Sequence, residues 1–315
     1  SFLDYLVSPL THHPAVESEI QFHNRYTNKL ETEKVYGEKW LKFIYSNPIG
    51  RICLWVLVKR IWFSKWYGWR MNLPKSSARI EPFISKFGVD RAEFAEDTSS
   101  FKNFNQFFYR KLTKDSRPLP QDVNAAIFPA DGRHFGFQNL SLAKRVFVKG
   151  QKFNLEQLFN SKKLALPYIG GSLVLSRLCP TDYHRFHFPV SGKMEKIRLI
   201  NGSLNSVNPI ALRQNLAIFW QNKRYLTFIE NDQFGKVAMF LVGATCVGSV
   251  HTSAQIDTEM ERGSELGYFS FGGSSIITLF QPNKVQLDSE LSKMTNTGYE
   301  SYAKMGEIMA NVIHE

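Results

Sequence analysis

The spacing of hydrophobic residues changes near residue 120. Before that point, apolar side chains recur at helical intervals, which predicts helices over residues 76–87 and 104–112. Beyond Asp122 they fall in short runs with little helix-length sequence between them, a pattern typical of antiparallel strands. The predicted strands cover residues 134–137, 145–148, 172–178, 193–200, 216–220, 225–230, 236–242 and 276–280.

These patterns predict an α+β protein with two parts. A helical region over residues 1–120 precedes a largely antiparallel, β-rich and barrel-like core over residues 121–315, with the Arg-Pro-Leu-Pro segment at 117–120 as the boundary. Short helices are expected at 155–159 and at the tail, 300–313. Ser76 or Ser77 should cap the helix at 76–87, and Gly88 should end it.

The first 37 residues are polar and show little periodicity, so we expect a loose arm or a short helix there. They contain His12, His13 and His23. Because no cluster of further metal ligands accompanies them, we interpret these histidines as part of a solvated surface, and we expect no metal.

A basic window rich in tryptophan covers residues 40–69 and holds five of the six tryptophans. Its longest uncharged apolar run is seven residues, well short of the roughly 20 that cross a bilayer. Indole rings suit the headgroup boundary, and cations there meet anionic lipid. We therefore predict docking on an anionic membrane surface, with a helix packed on the core as the alternative. The predicted membrane-binding residues are Trp55, Lys59, Arg60, Trp62, Lys65 and Trp66.

Composition narrows the class of protein. The net charge is +11, and between Glu38 and Lys75 eight basic residues face one acidic residue, so the surplus is concentrated in the tryptophan window. A basic surface attracts nucleic acid or anionic lipid, and the tryptophans favour lipid, so we expect no nucleic acid. Three scattered cysteines indicate neither a disulfide framework nor a zinc site. The first residues show no charged-then-apolar leader, and what precedes Ser1 stays open.

The candidate chemistry is at Phe271-Gly272-Gly273-Ser274-Ser275, where two glycines precede two hydroxyls and a buried strand. An ordinary turn is one interpretation. The other is self-cleavage, since Gly273 has no Cβ and a serine oxygen can approach its carbonyl closely. A serine hydrolase would be a rival enzyme class, but no Gly-x-Ser-x-Gly elbow surrounds Ser274.

Four further motifs occur in a fixed order along the chain. They are Pro129-Ala130-Asp131-Gly132, Asp182-Tyr183-His184-Arg185-Phe186-His187-Phe188-Pro189, Val242-Gly243-Ala244-Thr245-Cys246-Val247-Gly248-Ser249 and Gly263-Ser264-Glu265-Leu266-Gly267-Tyr268-Phe269. Together with Gly273-Ser274 they resemble the phosphatidylserine decarboxylase family, from about Leu41 to about Leu291. An aromatic-Arg-x-Leu segment at 109–112, followed by Arg-Pro, is also similar to that family.

The resemblance implies a proenzyme that cuts itself between Gly273 and Ser274. Residues 1–273 would form the large chain and 274–315 the small one. The two chains would stay together as a heterodimer, and a further dimer of such heterodimers is the alternative. The implied self-cleavage triad is Asp131, His187 and Ser274, with His187 as base and Asp131 as its orienting carboxylate. Ser274 would become a pyruvoyl group that forms a Schiff base with phosphatidylserine and yields phosphatidylethanolamine in phospholipid biosynthesis. Neither a metal nor pyridoxal phosphate is expected, and the enzyme would be peripheral, at the cytoplasmic face of the cell membrane.

Two assignments depend on details of this sequence. His184 and His187 lie in a proline-flanked segment where an odd separation places side chains on opposite faces, so His184 is a candidate proton donor or substrate contact in decarboxylation. The family commonly has Leu-Gly-Ser-Thr where this chain has Gly-Gly-Ser-Ser, and the gapless alignment of residues 276–280 places the cleaved residue at Ser274 instead of Ser275. The alternative function is a non-catalytic peripheral binder of anionic phospholipid.

Overall fold

The computed structural model describes residues 20–33, 61–142, 153–205, 207, 212, 215–243, 250–271 and 274–314. The predicted strand at 145–148 lies outside these residues, as do His12, His13, Trp55, Lys59, Arg60 and Gly273.

Three helices from the first part of the chain pack together in one apolar cluster, to which the first contributes Met71 and the other two contribute mainly phenylalanines. They are α1 (Ile61–Asn72), α2 (Ile80–Phe87) and α3 (Phe104–Phe108). Gly88, with φ of +65°, ends α2 as predicted, because glycine adopts this left-handed conformation without strain. The predicted start of α2 is wrong: a 3-10 turn over Pro74–Arg79 comes first. Ser76 Oγ donates to backbone carbonyls there and accepts from the Phe104 N–H, which fastens α3 to the turn.

Most of the described strands join one extended sheet, and two three-stranded sheets accompany it. The strands are β1 (Gln21–Asn24), β2 (Lys29–Thr32), β3 (Ala125–Ile127), β4 (Gly132–Phe137), β5 (Ser172–Leu178), β6 (Arg185–His187), β7 (Gly192–Met194), β8 (Arg198–Ile200), β9 (Arg224–Asn231), β10 (Gly235–Gly243), β11 (Val250–Thr252), β12 (Glu259–Met260), β13 (Glu265–Phe269), β14 (Ser274–Phe280), β15 (Val285–Leu287), β16 (Glu300–Ala303) and β17 (Ile308–Val312).

The extended sheet runs in the order β12-β7-β9-β10-β14-β5-β4-β16-β1-β2, with β8 also on β9. Its described pairs are antiparallel except for β1 with β16. This confirms an α+β protein with mostly antiparallel sheet. The barrel-like arrangement is not found among the described strands, because the order ends at β12 and at β2, whose side chains are largely exposed.

Strand β14 lies inside this sheet between β10 and β5, and apolar side chains cover both of its faces. Because side chains alternate along a strand, Ile277 and Leu279 face one cluster and Ile276 and Phe280 face the other. The helices α4 (Leu155–Phe159), α5 (Lys162–Ala165) and α6 (Ile218–Gln221) contribute to the first cluster, and α7 (Ser289–Thr297) contributes to the second. The predicted helix at 155–159 is confirmed.

Several predicted elements are wrong in type. Residues 20–33, expected to be an arm or a short helix, contain the β1–β2 hairpin, and His23 is buried against Asn28 instead of solvated. Helix α6 occupies most of the segment predicted as a strand at 216–220. The strand predicted at 193–200 is instead two strands, β7 and β8. The tail, expected to be a helix, forms β16 and β17, separated by Gly306 at φ of +94°.

Candidate active site

Ser274 is the first residue of β14 and is completely buried. It lies opposite Gly243 on one side and Leu178 on the other. The hydroxyls of both Ser274 and Ser275 are buried and have no hydrogen-bond partner among the described residues. A buried hydroxyl without a partner is costly, so such a group is a candidate for chemistry.

The two serines differ in the face of the sheet that they occupy. By strand alternation Ser274 shares a face with Ile276 and Phe280, whereas Ser275 shares one with Ile277. The cluster on the Ser274 face includes Phe186 of β6 together with Leu266 and Phe269 of the paired strand β13. His187 ends β6, and His184 directly precedes it. The cluster on the Ser275 face contains no residue of that strand pair.

His184 lies beside the chain that enters β14. Its main-chain carbonyl accepts from the Phe269 N–H at 3.0 Å, and its ring centroid is 3.8 Å from that of Phe108. Phe108 also contacts the ring of Phe271, at 4.9 Å. Nδ1 of His184 lies 2.9 Å from the Asp182 carbonyl, which can only accept, so in the neutral ring the proton is on Nδ1.

Asp182 is itself fixed, which gives His184 a rigid support. Arg133 Nη1 donates to its carboxylate at 2.8 and 2.6 Å, and the Cys179 N–H donates at 2.7 Å. All three of these residues are buried. The charge-assisted contact with Arg133 therefore fixes the loop that leaves β5 next to Ser274, and the main-chain carbonyl of Asp182 in that loop holds His184.

His187 is the last residue of β6, and two groups set the state of its ring. Nδ1 donates to the Gly263 carbonyl at 2.9 Å, and the Tyr183 hydroxyl lies 3.3 Å from Nε2. Because Nδ1 carries the proton, Nε2 is the basic nitrogen and Tyr183 donates to it. Burial lowers the pKa of His187, although the Gly263 carbonyl and nearby carboxylates oppose this shift. The ring is therefore neutral near pH 7, as a general base must be.

Asp131 lies close to His187 but is bound to other groups. The His187 N–H donates to the Pro129 carbonyl at 2.8 Å, two residues from Asp131. The carboxylate of Asp131 accepts from Arg117, Nε at 2.9 Å and Nη2 at 2.5 Å, and from the Met305 N–H at 2.8 Å. Asp131 thus acts on His187 through its charge, which favours the protonated ring. The hydrogen bond that orients the His187 ring is the one that Nδ1 donates to the Gly263 carbonyl.

Sequence reasoning missed three groups of this site. In the sequence, Arg117 belongs to the boundary segment and to the Arg-Pro pair, and Tyr183 and Gly263 are motif positions to which the pattern assigns no role. Gly263 has a φ of +83°, and a Cβ there would lie 2.4 Å from the Leu119 side chain, so glycine is required. The Arg-Pro pair and Gly263 are visible in the sequence, but the residues that they contact, Asp131 and His187, are distant along the chain, so the sequence does not indicate these contacts.

Of the predicted membrane-binding residues, Trp62, Lys65 and Trp66 lie on α1. Trp66 is 44% exposed and the neighbouring Trp69 is 59% exposed, and Arg70 lies over the Trp66 ring. Among the described helices, none is both long and apolar enough to cross a membrane. In the described part of the chain, no group of three or more His, Cys, Asp or Glu is arranged to hold a metal ion.

Comparison with known proteins agrees with the order of the motifs. The phosphatidylserine decarboxylase family model matches residues 104–310. The phosphatidylserine decarboxylase proenzyme of Fusobacterium nucleatum is 41% identical over 293 residues, covering 93% of this chain and 98% of that protein. The proenzymes of Clostridium novyi and Clostridium perfringens are 42% and 39% identical, covering 91% and 93% of this chain and 98% and 99% of theirs. The chain therefore belongs to the phosphatidylserine decarboxylase family.

Proposed function

We propose that this protein is a self-processing, pyruvoyl-dependent enzyme that decarboxylates phosphatidylserine to phosphatidylethanolamine. Its relatives are named as proenzymes of this activity. The observation that carries the proposal is the position of Ser274. Its buried hydroxyl has no hydrogen-bond partner among the described residues, and its sheet face belongs to the apolar cluster that includes β6, the strand of His187. That position fits the residue from which a pyruvoyl group is made.

Maturation begins with attack by Ser274 Oγ on the Gly273 carbonyl carbon, while His187 Nε2 takes the hydroxyl proton. The bond between the Gly273 carbonyl carbon and the Ser274 nitrogen breaks, that nitrogen gains a proton, and an ester remains. Loss of the Ser274 Cα proton then expels the Gly273 carboxylate and leaves dehydroalanine. Water replaces its nitrogen, which departs as ammonia, and the new chain begins with a pyruvoyl group.

The residues of the site divide this work. His187 is neutral, and Nε2 is the ring nitrogen that can accept the proton, since Nδ1 donates its own to the Gly263 carbonyl. The charge of Asp131 stabilises the imidazolium that forms. A pyruvoyl group at Ser274 would hold the substrate amine and supply an acceptor for the electron pair left by carbon dioxide. His184 keeps its Nδ1 proton on the Asp182 carbonyl, so it first takes up a second proton at Nε2 and then supplies that proton to the carbon that has lost its carboxylate.

The two products of cleavage stay together as a heterodimer because the fold interleaves them. Strand β14 would belong to the small chain, yet both of its neighbours, β10 and β5, belong to the large one. In the same way β16 lies between β4 and β1. Separation would break the hydrogen bonds of the extended sheet and expose both apolar clusters.

The basic, aromatic part of the chain docks the enzyme on an anionic membrane. Trp66 and Trp69 are large, apolar and exposed on α1, and cations accompany them in the sequence. Amphipathic rings and cations together suit the headgroup region. The enzyme is then peripheral, at the cytoplasmic face, where anionic lipid is available.

Intact-mass measurement of purified protein tests the proposal. We expect two chains, divided between Gly273 and Ser274, and a pyruvoyl group at the start of the small chain in place of a free amino group. The cleaved protein should be active on phosphatidylserine in mixed micelles. Ser274→Ala should remain one inactive chain. Its matched control, Ser275→Ala, removes the neighbouring buried hydroxyl and should still be cut. An active wild-type protein with an unbroken chain would refute the proposal, and exchanged behaviour of the two variants would move the site to Ser275.

A further inference from the structure

Phe271, two residues before Gly273, is held by one short helix. Its N–H donates to Oδ1 of Asn105 at 2.9 Å, and both residues are buried. Its ring packs edge-on against Phe104 and Phe108, with ring centroids 5.3 and 4.9 Å apart. Helix α3 therefore fixes both the backbone and the side chain of the last described residue before Ser274.

A second amide sets the orientation of Asn105. Its Nδ2 donates to Oδ1 of Asn72, the last residue of α1, at 2.9 Å. Because the oxygen and nitrogen of an amide point in different directions, donation to Asn72 leaves the Asn105 oxygen facing Phe271. Asn72 is exposed at the surface of the helical cluster, whereas Asn105 is buried. The two side chains form a relay from α1 to the segment that enters β14.

This relay bears on self-cleavage because the residues between its end and Ser274 are both glycines. Glycine has no side chain to restrict its own backbone, so the position of the Gly273 carbonyl depends on the anchors to either side. Ser274 is anchored by its register with Gly243 and Leu178. Phe271, through Asn105, is the nearest described anchor on the other side.

We propose that Asn105 is a positioning residue for self-cleavage, holding the Gly273 carbonyl where Ser274 Oγ can attack it. This inference rests on the proposed function, since it requires cutting between Gly273 and Ser274. Attack needs the reacting atoms about 3–3.5 Å apart and aligned, and a displacement of about 1 Å costs on the order of 100-fold in rate. Asn105 takes no part in proton transfer, so it changes how often the attack geometry is reached.

The test measures the rate at which the full-length chain is converted into two chains after cell-free synthesis, over a range of pH. Asn105→Leu keeps the branched shape and the number of non-hydrogen atoms but removes the acceptor, and it should slow cutting by about 100-fold. Asn105→Asp retains an acceptor for the Phe271 N–H and should cut within about threefold of wild type, since the Asn72 amide can turn to donate to it. The midpoint of the pH profile should stay unchanged in both, because His187 is untouched.

A matched control separates positioning from loss of the helix. Asn103 caps the same α3 by accepting from the Gln106 N–H at 2.9 Å, and it makes no such bond to Phe271. Asn103→Ala should lower the melting temperature and leave the cutting rate close to wild type. The exposed Asn72→Ala variant, which only frees the Asn105 amide to turn, should slow cutting by about tenfold while folding normally, in line with a smaller displacement.

Hydroxylamine identifies the step that is affected, because it cleaves an accumulated ester. If positioning for attack is the defect, hydroxylamine should not restore cutting of Asn105→Leu. The inference is overturned by cutting of Asn105→Leu at the wild-type rate, by equal losses in the Leu and Asp variants, by an equal loss in Asn103→Ala, or by rescue with hydroxylamine. Failure of the wild-type chain to cut at Gly273 would instead overturn the proposed function.

Discussion

Removal of Arg177 should destabilise the protein far more than removal of an exposed arginine. Arg177, on β5, is buried between Glu33 and Glu300, its Nη2 lying 2.5 Å from one carboxylate and 2.6 Å from the other. Nη1 also donates to Glu33 and Nε to Glu300, at 3.1 and 2.9 Å. Burial alone would raise the pKa of Glu33, but the charges of Arg177 and Arg133 hold it at about 2.

The magnitude follows from what Arg177→Met leaves behind. Two buried carboxylates lose a shared cation, and breaking a buried ion pair from one side costs about 3–5 kcal/mol. With two acids affected we expect the upper end. At about 2–4 °C per kcal/mol for a domain of this order of size, the melting temperature should fall by about 10–20 °C.

The control is Arg91→Met, which removes an arginine of the same type from an exposed pair with Glu81. Both of those side chains are more than half exposed, so the expected loss is below about 1 kcal/mol. Thermal melts followed by circular dichroism at pH 7.5 compare the two variants. A fall for Arg177→Met no larger than that for Arg91→Met would refute the reasoning.

Three further predictions concern catalysis, acid stability and membrane binding. His187→Ala should block cutting, which gels measure. His184→Ala should cut but release little carbon dioxide, which trapping of the gas measures. Full turnover by His184→Ala would show that its ring has only a structural role. Burial lowers the pKa of His134 to about 3, so the unfolded chain binds that proton at a higher pH than the folded chain does, and the free energy of unfolding should fall as pH drops from about 6.5 towards 3. Urea unfolding at several pH values measures this fall, and His134→Gln should make it smaller. An unchanged slope of the unfolding free energy against pH in that variant would contradict the prediction. Replacement of Trp62 and Trp66 by alanine should weaken vesicle binding at both low and high salt. Unaltered vesicle binding together with lost thermal stability would instead show that these side chains belong to the protein core. Glutamine substitutions at a basic trio should weaken it mainly at low salt. That trio is Lys59, Arg60 and Lys65.

The strands that the sequence predicted best are those buried on both faces. The bounds of β5 agree with the strand predicted at 172–178, where four of the seven residues are apolar, and β14 contains the strand predicted at 276–280. A strand inside a sheet with both faces covered needs apolar residues at nearly every position, so its sequence is hard to interpret otherwise. Short apolar runs are different: residues 216–220 fit either a strand or the buried side of a helix, and helix α6 occupies part of them.

The tail shows how distant partners decide an element. Residues 300–313 have a spacing compatible with a helix, but β16 pairs with β4 near His134 and β17 pairs with β3 near Ala126. Those partners precede the tail by more than 150 residues. Local propensity is a weak preference of tenths of a kcal/mol per residue, and a full set of ladder hydrogen bonds with apolar burial outweighs it.

The site shows a second limit, because a motif can assign a residue to a reaction without giving its hydrogen bonds. Asp131 and His187 do lie near each other, and the aspartate charge acts on the ring. The geometry, however, gives the strongest carboxylate contacts to Arg117, whose guanidinium offers two parallel donors that a neutral imidazole cannot match. Orientation of His187 then passes to the Gly263 carbonyl, which a glycine at positive φ allows. The Gly263 carbonyl thus sets the tautomer of the His187 ring, and the charge of Asp131 stabilises its protonated form. The ring therefore keeps its proton on Nδ1 and its basic nitrogen at Nε2 even though Arg117 binds the Asp131 carboxylate.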